Sequence, residues 1–184
     1  MEKMLLHVCC GPCSTNAVEE LGKEYDVTLF FYNPNIYPET EYKRRLEQAK
    51  KVARVHGLGL VEGNYDNNAW DSFVRMYTEE PEGGKRCKLC FEYRLKETAK
   101  QAKNKGFAVF ATTITTGPNK EARVINEIGI ELAKQYGIKF LEADFKKKDG
   151  YLKSINKSVG LGLYRQNYCG CVYSLRSSIA SPKL

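Results

Sequence analysis

The chain has 184 residues, 42% of them hydrophobic and 28% charged, with a formal net charge of +7 and a pI near 9.0. Such a length can bury a core without metals or disulfides as staples, and the composition excludes a globally disordered chain. The excess of positive charge is compatible with a polyanionic partner such as a nucleic acid.

The apolar run in residues 1–9 is too short for a secretory signal and lacks a small-residue cleavage site. No stretch approaches the roughly 18 consecutive apolar residues of a membrane span. A cytoplasmic location and no membrane partner are expected. In that compartment seven cysteines point to metal binding or catalysis rather than to a disulfide framework.

In chain order, residues 5–9 read as a short buried strand followed by a Gly11-Pro12 turn, with Ser14 as N-cap of a helix ending at Gly22. Residues 27–32 form a second strand, stopped by Asn33-Pro34-Asn35. A basic amphipathic helix spans 39–56, a third strand 58–61 and a helix 68–77, in which Trp70, Phe73 and Val74 read as core. After a turn-rich loop over 80–84, a helix is expected over 92–103, a strand over 107–113, a helix over 120–135 and a strand over 138–141. The remainder reads as loop and short helix. Five strands alternating with helices predict an α/β fold, a three-layer Rossmann-like, mainly parallel sheet. Ligands of such sheets sit beyond the carboxyl ends of the strands. The segments holding Cys9, Cys10 and Cys13, Asn33, Thr113 to Gly117 and Asp144 all fall there.

The cysteines form three clusters: Cys9-Cys10-Gly-Pro-Cys13, Cys87-x-x-Cys90 and Cys169-Gly-Cys171. Cys-x-x-Cys on a turn or first helical turn puts two sulfurs on one side, and a Gly between two cysteines lets the backbone curl so that both converge. Adjacent residues at a strand end point opposite ways, so Cys9 and Cys10 are expected to serve different centres, or one of them none. A [4Fe–4S] cluster needs about four thiolates, which leaves sulfurs for a second metal or a catalytic thiol. A tetrahedral zinc on Cys87, Cys90, Cys169 and Cys171 is the plainer alternative. It leaves the first cluster unexplained, and a thioredoxin-like dithiol leaves the other two so.

Cys9-Cys10-Gly11-Pro12-Cys13-Ser14, Tyr32-Asn33-Pro34-Asn35-Ile36 with Glu41-Tyr42, Arg86-Cys87-x-x-Cys90, Thr112-Thr113, Asp144-Phe145-Lys146-Lys147 and Tyr164-Arg165-Gln166-x-Tyr168-Cys169-Gly170-Cys171-x-Tyr173-Ser174 occur in this order. This combination, running from Leu5 to Ser174, resembles the QueH family of epoxyqueuosine reductases. One departure is Thr116-Gly117-Pro118-Asn119-Lys120, where the family commonly has Ser before the Pro. Length and the lack of a dividing linker fit a single catalytic domain over 1–184, and the resemblance implies a nucleotide α-hydrolase-like fold. It further implies a [4Fe–4S] cluster with an additional iron, and reduction of epoxyqueuosine to queuosine at the wobble position of tRNA. The electron donor is left unspecified.

On that reading Cys90, Cys169 and Cys171, with Cys10 or Cys87, are expected around the cluster, and Cys9 with Cys13 near the second iron, where Asp144 is a further oxygen ligand candidate. Cys13, Tyr168 and Asp144 are the candidate acids. Lys146 and Lys147 are candidates for phosphate contacts, and Asn33, Tyr164, Arg165 and Gln166 for holding the modified base. Lys43, Arg44, Arg45, Lys50 and Lys51 are either part of a nucleic-acid face or a solvated helix face. His7 and His56 read as structural or surface residues, and Gly160-x-Gly162 is too weak for a nucleotide loop. Related ATP pyrophosphatases place a phosphate-binding loop where this chain has Cys9 to Ser14. ATP-dependent tRNA thiolation is therefore one alternative, although Pro12 donates no N–H. A non-catalytic zinc or iron–sulfur tRNA-binding module is the other.

Overall fold

A computed structural model of the chain describes residues 1–180. Strands β1 (Glu2–His7), β2 (Tyr25–Phe31), β3 (Gly59–Glu62), β4 (Val109–Thr112) and β5 (Lys139–Phe140) form one sheet in the order β3-β2-β1-β4-β5. Every pairing is parallel; Leu5, for example, lies opposite Thr28 on one side and Phe110 on the other. The helices are α1 (Gly11–Leu21), α2 (Glu39–His56), α3 (Asn67–Val74), α4 (Lys85–Asn104), α5 (Ala122–Tyr136), α6 (Gly150–Gly160) and α7 (Val172–Ala180). Short 3₁₀ turns cover Arg75–Tyr77 and Thr113–Thr116.

The strands are apolar on both faces because helices cover both. Met4, Leu6 and Val8 pack with Val27, Leu29 and Phe31 against α1 and α2, with α6 beside α1. Leu5, Phe30 and Phe110 form the other layer with Leu95 and Ala99 of α4 and Ile125 of α5. The chain leaves β1 toward β2 and β3, then crosses back to β4. The carboxyl ends of β1 and β4 therefore lie side by side where the strand order reverses, the usual ligand crevice of such sheets.

Several boundaries differ from the sequence reading. The first strand ends at His7, and α1 begins at Gly11 with Cys10 as its N-cap in place of Ser14. Ser14 lies within the first turns, its buried hydroxyl donating to the Gly11 carbonyl at 2.7 Å. Pro12 is tolerated there because first-turn N–H groups have no intrahelical partner to lose. A Cβ on Gly11 would stand 2.7 Å from the Cβ of Gln48, so only glycine lets α1 start this close to α2. Helix α4 starts at Lys85 rather than 92, which carries Cys87 and Cys90 on its first turns. Trp70 and Val74 are buried as expected, whereas Phe73 is 45% exposed. Among the described residues no helix is long and apolar enough to cross a membrane.

Candidate metal centre and its cavity

The sulfurs of Cys9, Cys10 and Cys13 all lie within 4.8 Å of one another, with Cys9 and Cys10 3.9 Å apart. This overturns the expectation that Cys9 and Cys10 point apart. The strand alternation ends at His7, so Cys9 sits in a bend and Cys10 at a helix N-cap, where the chain curls all three thiols to one side. Crowding divides their protons unequally. Hydrogen bonds from Cys10 and Cys13 hold Cys9 well below the usual thiol range. The bond with Cys13 pulls Cys10 down, but the bond with Cys9 and burial outweigh it and push Cys10 up to about 12. Cys13 is raised by its bonds with Cys10 and Cys9 and by burial. Three soft sulfur donors sharing protons at the start of a helix suit a thiophilic metal ion, which would take the place of those protons. Among the described residues this is the only group of three or more Cys, His, Asp or Glu close enough for one ion.

Cys87, Cys90, Cys169 and Cys171 assemble from two distant segments. Cys90 and Cys171 pack together with Trp70 and Val74 of α3. Burial pushes Cys90 up to about 12, with the thiols of Cys169, Cys171 and Cys87 adding to it against the opposing pull of Arg94. Burial and Cys169 likewise raise Cys171. Each sulfur named next receives an N–H donor: Gly83 donates to Cys87 at 3.2 Å, Ser174 to Cys171 at 3.4 Å, and the Lys120 ammonium to Cys169 at 3.2 Å. Gly170, at φ 135°, makes the tight passage between Cys169 and Cys171; a Cβ there would meet the Arg45 guanidinium at 3.0 Å. Four thiols, three of them with N–H donors and three of them buried, fit the ligand set of an iron–sulfur cluster.

Two buried arginines hold these parts together. Arg45 pairs with Glu41 at 2.7 Å and donates to the carbonyls of Cys169 at 2.9 Å and Tyr168 at 3.1 Å. It is therefore neither solvated nor available to a nucleic acid. Its position in the stripe Tyr42, Arg45, Leu46, Ala49 was the signal that could have shown this. Arg94, equally buried, donates to Asn33 Oδ1 at 3.2 Å. Burial opposes its charge, yet the surrounding thiols of Cys90, Cys169, Cys9 and Cys87 raise its pKa on balance. Its guanidinium thus lies in the field of both cysteine groups. His7 is structural, as expected. Its Nε2 donates to the Tyr32 carbonyl at 3.1 Å, Nδ1 accepts from Thr112 at 2.9 Å, and burial, then Arg94, lower its pKa to about 4.

A cavity of about 510 Å³ opens beside the two cysteine groups and is lined by Cys9, Cys13 and Cys169 among others. Arg165, Gln166 and Tyr168 also line it. Gln166 Nε2 donates to Cys10 Sγ at 3.1 Å, while its Oε1 is buried without a partner. The Tyr168 hydroxyl is directed away, donating to the Tyr37 carbonyl at 2.5 Å. Other expected residues lie elsewhere. Asn33 is fully buried and consumed by Val8 and Arg94. The Tyr164 hydroxyl donates to Glu41 while the Arg44 guanidinium stacks on its ring at 3.4 Å. Asp144, outside the cavity lining, faces Lys146 at 3.8 Å and Lys147 at 3.9 Å. Lys146 turns inward to the Lys120 carbonyl, and Lys147 is exposed. Lys120, a cavity residue paired with Glu82, is marked in the sequence only as the last residue of the departing segment 116–120, and nothing local distinguishes it from a surface lysine. A larger depression of about 750 Å³ between α4 and β5 contains no cysteine, so volume alone does not locate the chemistry.

The family model described as "Epoxyqueuosine reductase QueH" matches residues 4–177. A relative of that name from Streptococcus pyogenes is 41% identical over 179 residues, covering 94% of this chain and 70% of the relative. One from Thermotoga maritima is 39% identical over 178 residues, covering 95% and 91%. Among solved structures, a predicted subunit of a tRNA methyltransferase from Methanocaldococcus jannaschii superposes with a TM-score of 0.54 over 83% of this chain and 76% of its own, at 16% identity. That likeness bears on the fold alone. With sequence similarity running through all three cysteine clusters, the chain belongs to the epoxyqueuosine reductase QueH family.

Proposed function

We propose that this chain is an oxidoreductase that reduces epoxyqueuosine to queuosine in the wobble position of tRNA, within one catalytic domain. The observation that carries the reading is the cavity wall formed by Cys9, Cys13 and Cys169, where thiols from both cysteine groups meet one substrate-sized space. Cys87, Cys90, Cys169 and Cys171 would hold a [4Fe–4S] cluster, and Cys9, Cys10 and Cys13 an additional iron. Bound there, these groups supply electrons singly and a Lewis acid for the epoxide oxygen. The second group does not bring its donor atoms to single-ion spacing, which favours a cluster over zinc at that position.

The balance of the reaction is epoxide plus two electrons and two protons giving alkene and water. The chain's residues bind, orient and supply protons. Arg165 and Gln166 border the cavity and are placed to hold the flipped-out base. Of the three candidate acids, Cys13 borders the cavity, Tyr168 spends its proton on Tyr37, and Asp144 faces lysines outside. Cys13 as an iron ligand would carry no proton to give, so of the other two Tyr168, which lines the cavity, ranks ahead of Asp144 as proton source. Lys147 and Lys148, exposed before α6, are suited to phosphates of the tRNA backbone.

The test is anaerobic protein with a chemical reductant and epoxyqueuosine-containing tRNA, with queuosine detected by mass spectrometry and iron and sulfide assayed in parallel. Turnover without ATP is expected. Sulfur insertion dependent on ATP would replace this reading with thiolation, and tRNA affinity without turnover would reduce the protein to a binding module.

A further inference from the structure

We propose that Lys120 is a positioning residue for this reaction: its ammonium, fixed between Glu82 and Cys169, raises the reduction potential of an iron–sulfur group ligated by Cys169. The inference rests on the reading above that Cys169 is a cluster ligand.

Lys120 closes the segment that leaves β4 and turns back over the cavity. Its side chain is only 14% exposed, its Nζ lies 2.8 Å from Glu82 Oε1 and donates to Cys169 Sγ at 3.2 Å. The backbone is pinned as well, because its N–H donates to the Gly117 carbonyl at 3.1 Å and its own carbonyl accepts from Lys146. Gly117 makes room for the stem: a Cβ there would stand 2.9 Å from Lys120 Cγ. A surface lysine keeps its long side chain mobile in water. This one is directed into a cavity wall, onto one sulfur.

Cys169 is also the member of its group that borders the cavity. Cys87 and Cys171 receive neutral peptide N–H groups, from Gly83 and Ser174, whereas Cys169 receives a full positive charge. Hydrogen bonds and charge at the sulfurs are among the levers that set cluster potential. Reduction adds one negative charge, and a fixed cation against a ligand sulfur favours that state, the more so in a site partly withdrawn from water. Glu82 opposes the effect, so the two residues carry opposite predicted signs.

The experiment compares anaerobically reconstituted wild type, Lys120→Met, Lys120→Arg and Glu82→Gln by iron and sulfide content and by spectroelectrochemical titration. Lys120→Met is expected to lower the reduced-to-oxidised ratio at a fixed potential about tenfold, which is 59 mV for a one-electron couple. Lys120→Arg should stay near wild type, and Glu82→Gln should move the other way. Unchanged potential in Lys120→Met overturns the proposal, as does movement of Lys120→Met and Glu82→Gln in the same direction. If Lys120→Met fails to fold or load, the Glu82→Gln shift relative to wild type and Lys120→Arg decides by its sign. Wild type that takes up no cluster overturns the proposal together with the cluster reading. Wild type that loads and titrates normally but forms no queuosine removes the assigned reaction while leaving the Lys120 result standing.

Discussion

The two cysteine groups are built in opposite ways. Cys9, Cys10 and Cys13 come from the β1–α1 junction and the first turn of α1, and their sulfurs fall within 4.8 Å of one another through local backbone. Cys87, Cys90, Cys169 and Cys171 come from the start of α4 and from the approach to α7, and they meet only because Arg45 and α3 hold those segments in place. A local site inherits its geometry from a helix start; an assembled site depends on every contact that holds its parts. The first should therefore survive perturbations that dismantle the second.

The largest expected effect is at Arg45. Replacing it with methionine leaves Glu41 buried without its ion-pair partner and frees the Tyr168 and Cys169 carbonyls. Removing one partner of a buried pair costs about 3–5 kcal/mol, and urea denaturation would read it. With the metals placed as proposed, metal analysis should show loss from the assembled group and retention at Cys9, Cys10 and Cys13. Equal loss from both groups would end the contrast drawn here.

Gly11→Ala probes the local group instead. The new Cβ would press on Gln48 at 2.7 Å, and overpacking of this kind costs about 1–3 kcal/mol. On the proposed metal assignment, loss should fall on the Cys9 group first, with any iron–sulfur absorption of the other group largely kept. A variant as stable as wild type, with both metals intact, would show that α1 can shift away from α2 without cost.

Gln166→Leu is the mildest test. It removes a donor to Cys10 and a polar side chain from the cavity lining. Stability should change by about 1 kcal/mol or less, while turnover of the epoxide substrate should fall by about tenfold or more. Unchanged turnover would take Gln166 out of substrate recognition.

Much of this is legible in the amino-acid sequence. Alternating apolar runs and helical stripes gave the five parallel strands in their order along the chain, because both periods are local properties of the backbone. The three cysteine clusters stood out for the same reason. Arg45 and Arg94 were half legible: each lies in the apolar stripe of its helix, but a charge in such a stripe has no visible partner until the fold supplies one. Asn33 follows β2 at a position that marked a site, and the fold shows its amide hydrogen-bonded to Val8 and Arg94.

The amino-acid sequence by itself determined the α/β class, the placement of reactive segments beyond the strand ends and the family. Tertiary structure alone decided that Cys9 and Cys10 converge, that Arg45 serves the Cys169 loop 124 residues away and that Lys120 meets a sulfur 49 residues on. Periodicity and spacing encode interactions within a few residues. Which distant side chains share a buried space is set only when the helices pack on the sheet and exclude the alternatives.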